Sequence, residues 1–299
     1  MVKVICLLAV LSVAACSGGG SSSGSTAAPS SSSSAPPQSA SPSNQPGGQS
    51  ASGATQVLTL QDGGTLTLNG DGSGVFRPVS GGFSFAPLNG PAPSDTQSFG
   101  GTKLYAQGTG GSPTASIELM SSAAGLSASE FGAWKSYDGN GNVTATNFFA
   151  GGRPTPVSAI PLPGSGITGT YNGSYVGTEN ITGQAITPIS GSSQIIANFS
   201  TGAVTANFSG GPFDIITGHV PTTMTPGANT YTAQGNTFSA FQAGNYTIKG
   251  GFYGTPATGQ APPETVGTFS GSLGRPGAVV VAPGAPINAT FSGSFGAHL

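Results

Sequence analysis

The string TVGTFSGS at residues 265–272 decides the fold class, because Phe269 stands between the hydroxylated residues Thr268 and Ser270, with Ser272 two residues further on. Its last five residues, Thr-Phe-Ser-Gly-Ser at 268–272, occur again at residues 290–294. Successive side chains of a β-strand point to opposite faces, so the Phe residues would lie on one face and the hydroxyls on the other. The pattern therefore predicts antiparallel strands with an aromatic inner face.

The same alternation of residues extends over the second half of the chain, where turn signals recur at near-regular spacing. A tight turn at Ser200-Thr201-Gly202 predicts one of the hairpins. The predicted strands are 171–177, 194–199, 203–208, 230–233, 237–241, 245–253, 265–272 and 289–295. Closing these eight strands into a small antiparallel barrel would remove exposed edges, and side chains would just fill the lumen. The candidates to fill it are Phe199, Phe208, Phe241, Phe252, Phe269 and Phe291.

The segment before the barrel predicts a smaller β-rich domain. Alternating residues at 56–60 and 65–68 flank an Asp-Gly-Gly turn signal, which is typical of a hairpin. Further strands are predicted at 74–76, 103–106, 115–120 and 143–149, and a short helix is conceivable only within 119–132.

Two features of this segment allow a functional interpretation. Asp62, Asn69 and Asp71 suggest a calcium loop, but no spaced Glu ligand follows, so turn chemistry is favoured. Trp134 is the only Trp; a binding role is conceivable, but a core aromatic in a strand is favoured.

A Pro-rich connector separates the two β regions. Arg153-Pro154-Thr155-Pro156 and Pro161-Leu162-Pro163-Gly164 bracket it. We therefore expect a domain boundary near residue 165, with a β-rich N-terminal domain at 54–165 and the barrel at 166–299.

The first 15 residues predict a lipoprotein signal peptide. Lys3 is the positive region, residues 4–13 are a short apolar run, and Val13-Ala14-Ala15 precedes Cys16. This string resembles a lipobox, so we expect cleavage between Ala15 and Cys16 and lipidation, including palmitate, of the Cys16 thiol. An ordinary secretory signal is the alternative. The other cysteine, Cys6, lies in the removed segment, so no disulfide framework is expected.

Residues 16–53 are rich in Ser, Gly, Ala and Pro and carry almost no apolar bulk, so we expect a disordered tether. About 37 residues of this kind span roughly 30–35 Å. Ser17 is not the Asp that commonly retains lipoproteins in the inner membrane. The outer membrane, with possible display at the cell surface, is therefore the expected location.

Composition argues against catalysis and nucleic-acid binding. Charged residues make up 5% of the chain and the net charge is -2, so there is no basic patch for nucleic acid. Only two His occur, His219 and His298, and no Gly-x-Ser-x-Gly elbow is expected on a strand-to-helix turn. A Ser-His-Asp set could be assembled only from abundant Ser with His219 and Asp214. We expect no enzyme activity, no catalytic residues, no cofactor and no metal site.

Several strings resemble the transferrin-binding protein B family of bacterial lipoproteins, whose wider group includes factor H binding protein. They are FGAW at 131–134, FFAGGRPTPVSAIPLPGSGITGTYNGSYVG at 148–177, GGFYGTPATGQAPPETVGTF at 250–269, and FGA at 295–297. The likeness covers roughly residues 131–299, with an apparent insertion at 258–263 and a His-Leu terminus where the family often has Lys or Arg.

The resemblance implies an eight-stranded barrel preceded by a handle-like domain, in a lipoprotein that binds a host or environmental protein or solute. Iron or haem acquisition is the process often associated with the family. The ligand-contacting loops of such proteins vary, so the resemblance carries no contact residue onto this chain. Two alternatives remain. One is a structural or adhesive surface module without a dedicated solute. The other, an integral outer-membrane barrel, is disfavoured because the predicted strands look shorter than the 9–11 residues required and are coated with hydroxyls.

Overall fold

A computed structural model describes residues 55–87, 97–108, 112–210, 222–224, 229–239, 242–275 and 287–299. Within these ranges the regular structure is β, apart from a single 3₁₀ turn at Val157–Ala159. The strands form two antiparallel eight-stranded sheets, which confirms the predicted all-β class. No helix in the described ranges has the length and apolarity needed to cross a membrane.

The first sheet, called the N-terminal sheet, curls until its two end strands meet. Its strands are β1 (Gln56–Leu60), β2 (Thr65–Leu68), β3 (Gly74–Arg77), β4 (Phe83–Phe85), β5 (Thr102–Gln107), β6 (Pro113–Leu119), β7 (Ser129–Tyr137) and β8 (Val143–Gly152). Their order is β4-β3-β2-β1-β8-β7-β6-β5. A bridge between Ala86 and Tyr105, 3.0 Å in both directions, joins the two ends.

The second sheet is a nearly closed antiparallel barrel, called the C-terminal barrel. Its strands are β9 (Thr168–Ile181), β10 (Thr187–Asn198), β11 (Ala203–Ser209), β12 (Thr222–Thr223), β13 (Thr230–Ser239), β14 (Gln242–Tyr253), β15 (Glu264–Arg275) and β16 (Ile287–His298). Their order is β12-β11-β10-β9-β16-β15-β14-β13, and β12 lies next to β13. The predicted eight-stranded barrel is confirmed.

The two sheets repeat one topology. In each, the first and last strands pair, Thr59 with Gly152 in one and Tyr175 with Phe295 in the other. This pair of first and last strands lies in the middle of the spatial order of each sheet, as β1 beside β8 and as β9 beside β16. All other neighbouring strands follow each other along the chain, as is usual for antiparallel sheets.

Aromatic rings fill the barrel, as the alternating pattern predicts. Of the six predicted lumen residues, five are buried in one core cluster: Phe199, Phe208, Phe252, Phe269 and Phe291. The sixth, Phe241, lies outside the described residues. The Phe208 ring has its centroid 5.1 Å from that of Phe269 and 5.2 Å from that of Phe295.

Three local predictions were wrong. The barrel strands are longer than expected, with 14 residues in β9 and 12 in β15, because interior glycines such as Gly177 continue the ladder instead of ending it. The segments 230–233 and 237–241 join in the single bulged strand β13. Residues 121–125 form a turn where a helix was conceivable, and β7 follows.

The interpretations of Trp134 and of the acidic turns are confirmed. Trp134 lies in β7 and packs against the core of the N-terminal sheet, with its ring centroid 6.0 Å from that of Phe76. An Asp62 carboxylate oxygen accepts a hydrogen bond from the Gly64 N–H, 3.0 Å away. Asp71 accepts one from the Ser73 N–H, 2.9 Å away. These are turn contacts.

The connector between the sheets packs against the barrel core. Ile160 is buried in the barrel core cluster, and Ile167 packs against it. The Gly164 N–H donates to the Ser200 carbonyl oxygen, 3.3 Å away. The domain boundary near residue 165 falls within this connector and stays a prediction.

Candidate functional site at the junction of the two sheets

The N-terminal sheet packs against the outer face of the barrel through β7 and β8, which contact β15 and β16. Phe131 of β7 is fully buried and lies on Gly296 of β16. A Cβ at position 296 would collide with the Phe131 ring, so this close approach requires glycine. The apolar residues of the junction are Met120, Ala124, Leu126, Phe131, Ala150, Val176, Tyr253 and Val266.

A buried carboxylate clamps the two sheets together. Glu264, the first residue of β15, is 3% exposed and accepts hydrogen bonds from the segment that leads into β7. The Ser127 N–H and hydroxyl lie 2.7 and 2.8 Å from Oε1, and the Ser129 hydroxyl lies 2.7 Å from Oε2. The Ala128 N–H lies 3.0 Å from both oxygens. Hydrogen bonds to a charged group are the stronger kind, so this clamp offsets the cost of burying the carboxylate.

Further polar contacts flank the clamp. The Ser294 hydroxyl donates to the Gly132 carbonyl oxygen, 2.9 Å away. His298 Nδ1 lies 2.9 Å from the Ala124 carbonyl oxygen and donates to it, because a carbonyl only accepts. The Gln61 side-chain amide donates to the Val266 carbonyl oxygen, 2.9 Å away. The junction is thus polar at its edges and apolar at its centre.

Two other buried carboxylates hold loops of the N-terminal sheet. Glu118 accepts from the N–H groups of Phe99 and Gly101 at 2.8 and 3.0 Å, and its other oxygen lies 3.4 Å from Lys135 Nζ. Lys135 Nζ also donates to the Gln97 carbonyl oxygen, 2.7 Å away. Both charges of the pair are 1% exposed.

Glu130 has a perturbed acidity. It accepts hydrogen bonds from the N–H groups of Met120 and Ser121 at 2.9 and 2.7 Å and from the Ser121 hydroxyl at 2.5 Å. Burial raises the pKa of Glu130 to about 7, although the hydrogen bonds from Ser121, Met120 and Phe131 act in the opposite direction. These contacts fix the turn at 120–121 that leads to the junction.

A groove of about 330 Å³ opens beside the junction, between the outer face of the barrel and β8. We call it the inter-sheet groove. It is lined by Leu60, Gln61, Asp62, Thr146, Asn147, Phe148, Phe149, Ala150, Thr247, Lys249, Thr268, Phe269, Ser270, Ser292 and Gly293. This volume lies at the lower end of the range for ligand sites, about 300–1,000 Å³.

The predicted site residues of the N-terminus, Ala15 and Cys16, lie outside the described residues, as do His219 and Asp214. Cleavage and lipidation therefore stay predictions. Across the described ranges, no group of three or more His, Cys, Asp or Glu side chains could hold a metal ion.

The residues of the quoted strings converge on the junction and the barrel core. Phe252, Phe269 and Phe295 are in the barrel core, whereas Tyr253 and Phe131 are in the junction. The sequence contained Glu264 in such a string but gave no sign of its partners, which lie 135–137 residues away. The groove was missed as well; its only signal was the alternation of hydroxyls along β15.

Comparison with known proteins finds solved structures that are similar at low sequence identity. No protein-family model matches the chain, and no curated protein sequence matches it. Among solved structures, a double mutant of transferrin-binding protein B from Haemophilus parasuis Hp5 is similar, with 16% identity and a TM-score of 0.49 over 82% of this chain and 44% of that one. The isotype 1 protein from serogroup B Neisseria meningitidis has 17% identity and a TM-score of 0.39, covering 81% and 42%. This chain thus spans less than half the length of either.

Proposed function

We propose that this chain is an outer-membrane lipoprotein that binds a protein ligand through its two-sheet module. One observation carries the proposal: the strings that resemble the transferrin-binding protein B family meet in space. Phe131, Tyr253, Glu264 and Gly296 come from three of those strings and build one junction. Residues from strings that resemble the family thus join the two β sheets of this chain.

The anchor is the thiol of Cys16. Its acyl chains would each contribute about 0.8 kcal/mol per buried CH₂, so two or three chains give a lasting attachment. The 16–53 tether would then hold the β module clear of the lipid head groups. This arrangement suits a module that meets a large ligand.

Binding is favoured over catalysis because three buried carboxylates are engaged in structure. Glu118, Glu130 and Glu264 each accept hydrogen bonds from backbone N–H groups. A general acid or base must instead face a substrate in an accessible cleft. The resemblance adds iron or haem acquisition as the process that the ligand would serve.

The test is direct binding by the full-length chain, purified in detergent and immobilised. The analytes are iron-loaded and iron-free transferrin, haemoglobin and haem-albumin, together with a capture experiment from iron-limited and iron-replete culture fluid. Saturable binding of one defined protein, reduced by unfolding the immobilised chain, is the expected result. Failure of every analyte, with nothing retained under either growth condition, would overturn the proposal.

A structural or adhesive surface module is the second candidate, and the outer face of the barrel favours it. Many exposed residues there carry hydroxyls and amides, as Thr170, Asn172 and Ser190 illustrate. Loss of cell adhesion after deletion of the chain, without any defined protein ligand, would favour this function over the first.

A further inference from the structure

A ladder of hydroxyls crosses the outer face of the barrel at the inter-sheet groove. Thr247 of β14 pairs with Ser270 of β15, and Ser270 pairs with Ser292 of β16. Lys249 and Thr268 form the next row. Directly paired residues on neighbouring strands are about 5 Å apart, so each row presents evenly spaced polar groups.

These hydroxyls are available to a ligand. The described structure gives the side chains of Thr247, Thr268, Ser270 and Ser292 no hydrogen bond to protein, and Ser270 is exposed. By contrast, Ser294 lies on the same face but is buried in the junction and bonded to Gly132. The hydroxyls of this face are therefore hydrogen-bonded to protein inside the junction, and those that line the groove beside it are not.

The opposite wall combines an aromatic ring with amide groups. Phe148 of β8 is half-buried, with its ring centroid 5.9 Å from that of Phe99, and it lines the groove. Asn147 and Gln61 add side-chain amides. An apolar ring that faces rows of hydroxyls complements a ligand with both C–H faces and many hydroxyl groups.

The charge of the groove points to a neutral ligand. Lys249 and Asp62 are the charged side chains that line it, and they have opposite signs. An anionic or nucleic-acid ligand would call for an excess of Lys and Arg. A peptide added as a strand would need an open sheet edge, whereas β15 and β16 are hydrogen-bonded on both sides.

We propose that the inter-sheet groove is a binding site for a neutral carbohydrate of one to two sugar rings. The sugar hydroxyls exchange hydrogen bonds with the hydroxyl ladder, and a ring face packs on Phe148. This proposal does not depend on the protein-ligand function proposed above, because it rests only on the residues of the groove.

The test is a titration of the full-length chain in detergent with lactose, N-acetyllactosamine, chitobiose and maltose, followed by saturation-transfer NMR. We expect one of these sugars to bind with a dissociation constant in the micromolar to low millimolar range. Ser270→Trp, which fills the groove from an exposed position, should abolish the signal. Thr268→Val should weaken binding about 3- to 10-fold, as expected for one lost hydrogen bond.

Ser190→Trp and Ser190→Ala are the matched controls, because Ser190 is an exposed serine on the outer face of β10, away from the groove. They should leave binding unchanged. The proposal is overturned if no sugar binds at 10-fold above that range, if Ser270→Trp binds normally, or if Ser190→Trp loses binding equally.

The carbohydrate could be free or attached to a protein. A glycoprotein bearing the best-binding disaccharide is therefore compared before and after enzymatic removal of its glycans. Loss of binding on deglycosylation, and loss again in Ser270→Trp, assigns a protein-borne glycan. Binding of the free sugar alone assigns a free saccharide, and both results support the site.

Discussion

The N–H of Ala128 points between the two carboxylate oxygens of Glu264, 3.0 Å from each, and joins residues 136 positions apart in the chain. Glu264 is the first residue of β15, and Ala128 lies just before β7. The contact ties the N-terminal sheet to the barrel at the edge of their apolar junction. The Glu264 carboxylate should therefore contribute strongly to the stability of the junction, beside its apolar core and flanking polar contacts.

Replacing Glu264 with Ala should lower the free energy of unfolding by about 3–5 kcal/mol, because the buried N–H groups of Ser127 and Ala128 lose their acceptor. Glu264→Gln keeps one acceptor oxygen and should cost less. Denaturant unfolding of the full-length chain measures both changes. Ser190→Ala, at an exposed position of β10, is the control and should leave the midpoint unchanged; a Glu264→Ala midpoint equal to that of the control would contradict the clamp.

Gly296→Val should destabilise the junction by about 2–4 kcal/mol, because the added side chain collides with the buried Phe131 ring. The double variant Gly296→Val with Phe131→Ala should be more stable than the sum of the single changes predicts, since the smaller residue makes room. Thermal unfolding of all three variants gives the coupling.

Gly139→Ala is the control for the glycine series, because a Cβ there meets nothing within 4 Å. Additive effects of the two junction substitutions would show that Phe131 and Gly296 do not constrain each other.

Glu130 should make stability fall as the pH rises. Burial raises its folded-state pKa from 4.5 to about 7, so the folded chain holds a proton that the unfolded chain releases. The contribution is fully present below about pH 4.5 and is lost as the pH rises through about 7, and it amounts to about 3 kcal/mol. Unfolding measured from pH 4.5 to 8 should show this slope in the natural chain and not in Glu130→Gln. Equal slopes for the two would exclude Glu130 as the cause.

Cys16→Ser should abolish incorporation of radiolabelled palmitate and release the chain from the membrane fraction, because the acylated thiol is removed. Cys6→Ser is the control, since that residue lies in the segment predicted to be cleaved. Labelling of intact cells followed by immunoprecipitation measures the result. Palmitate retained in Cys16→Ser would show that the Val-Ala-Ala-Cys string is not a lipobox.

Much of the barrel was predictable because its core follows a local rule. Phe269 and Phe291 alternate with hydroxylated neighbours, and this period of two places them inside wherever the strands pair. Strand ends were harder to predict. The strand predicted at 171–177 continues past Gly177 to Ile181, because β16 pairs with this part of β9 and supplies the hydrogen-bonding ladder. The sequence also did not predict that the two sheets repeat one topology. Residues 56–152 and 168–298 share the order in which their strands pair, but they do not share their amino acids.

The sequence by itself determined the all-β class and the aromatic lumen, since each depends on the spacing of neighbouring residues, and it predicts the export signal on the same kind of local pattern. Only the tertiary structure decided the partners of Glu264, the fit of Phe131 on Gly296 and the groove beneath Phe148. Those features join residues far apart in the chain. These contacts and the groove depend on how the two folded sheets pack against each other. The local alternation of residues along a strand carries no information about that packing.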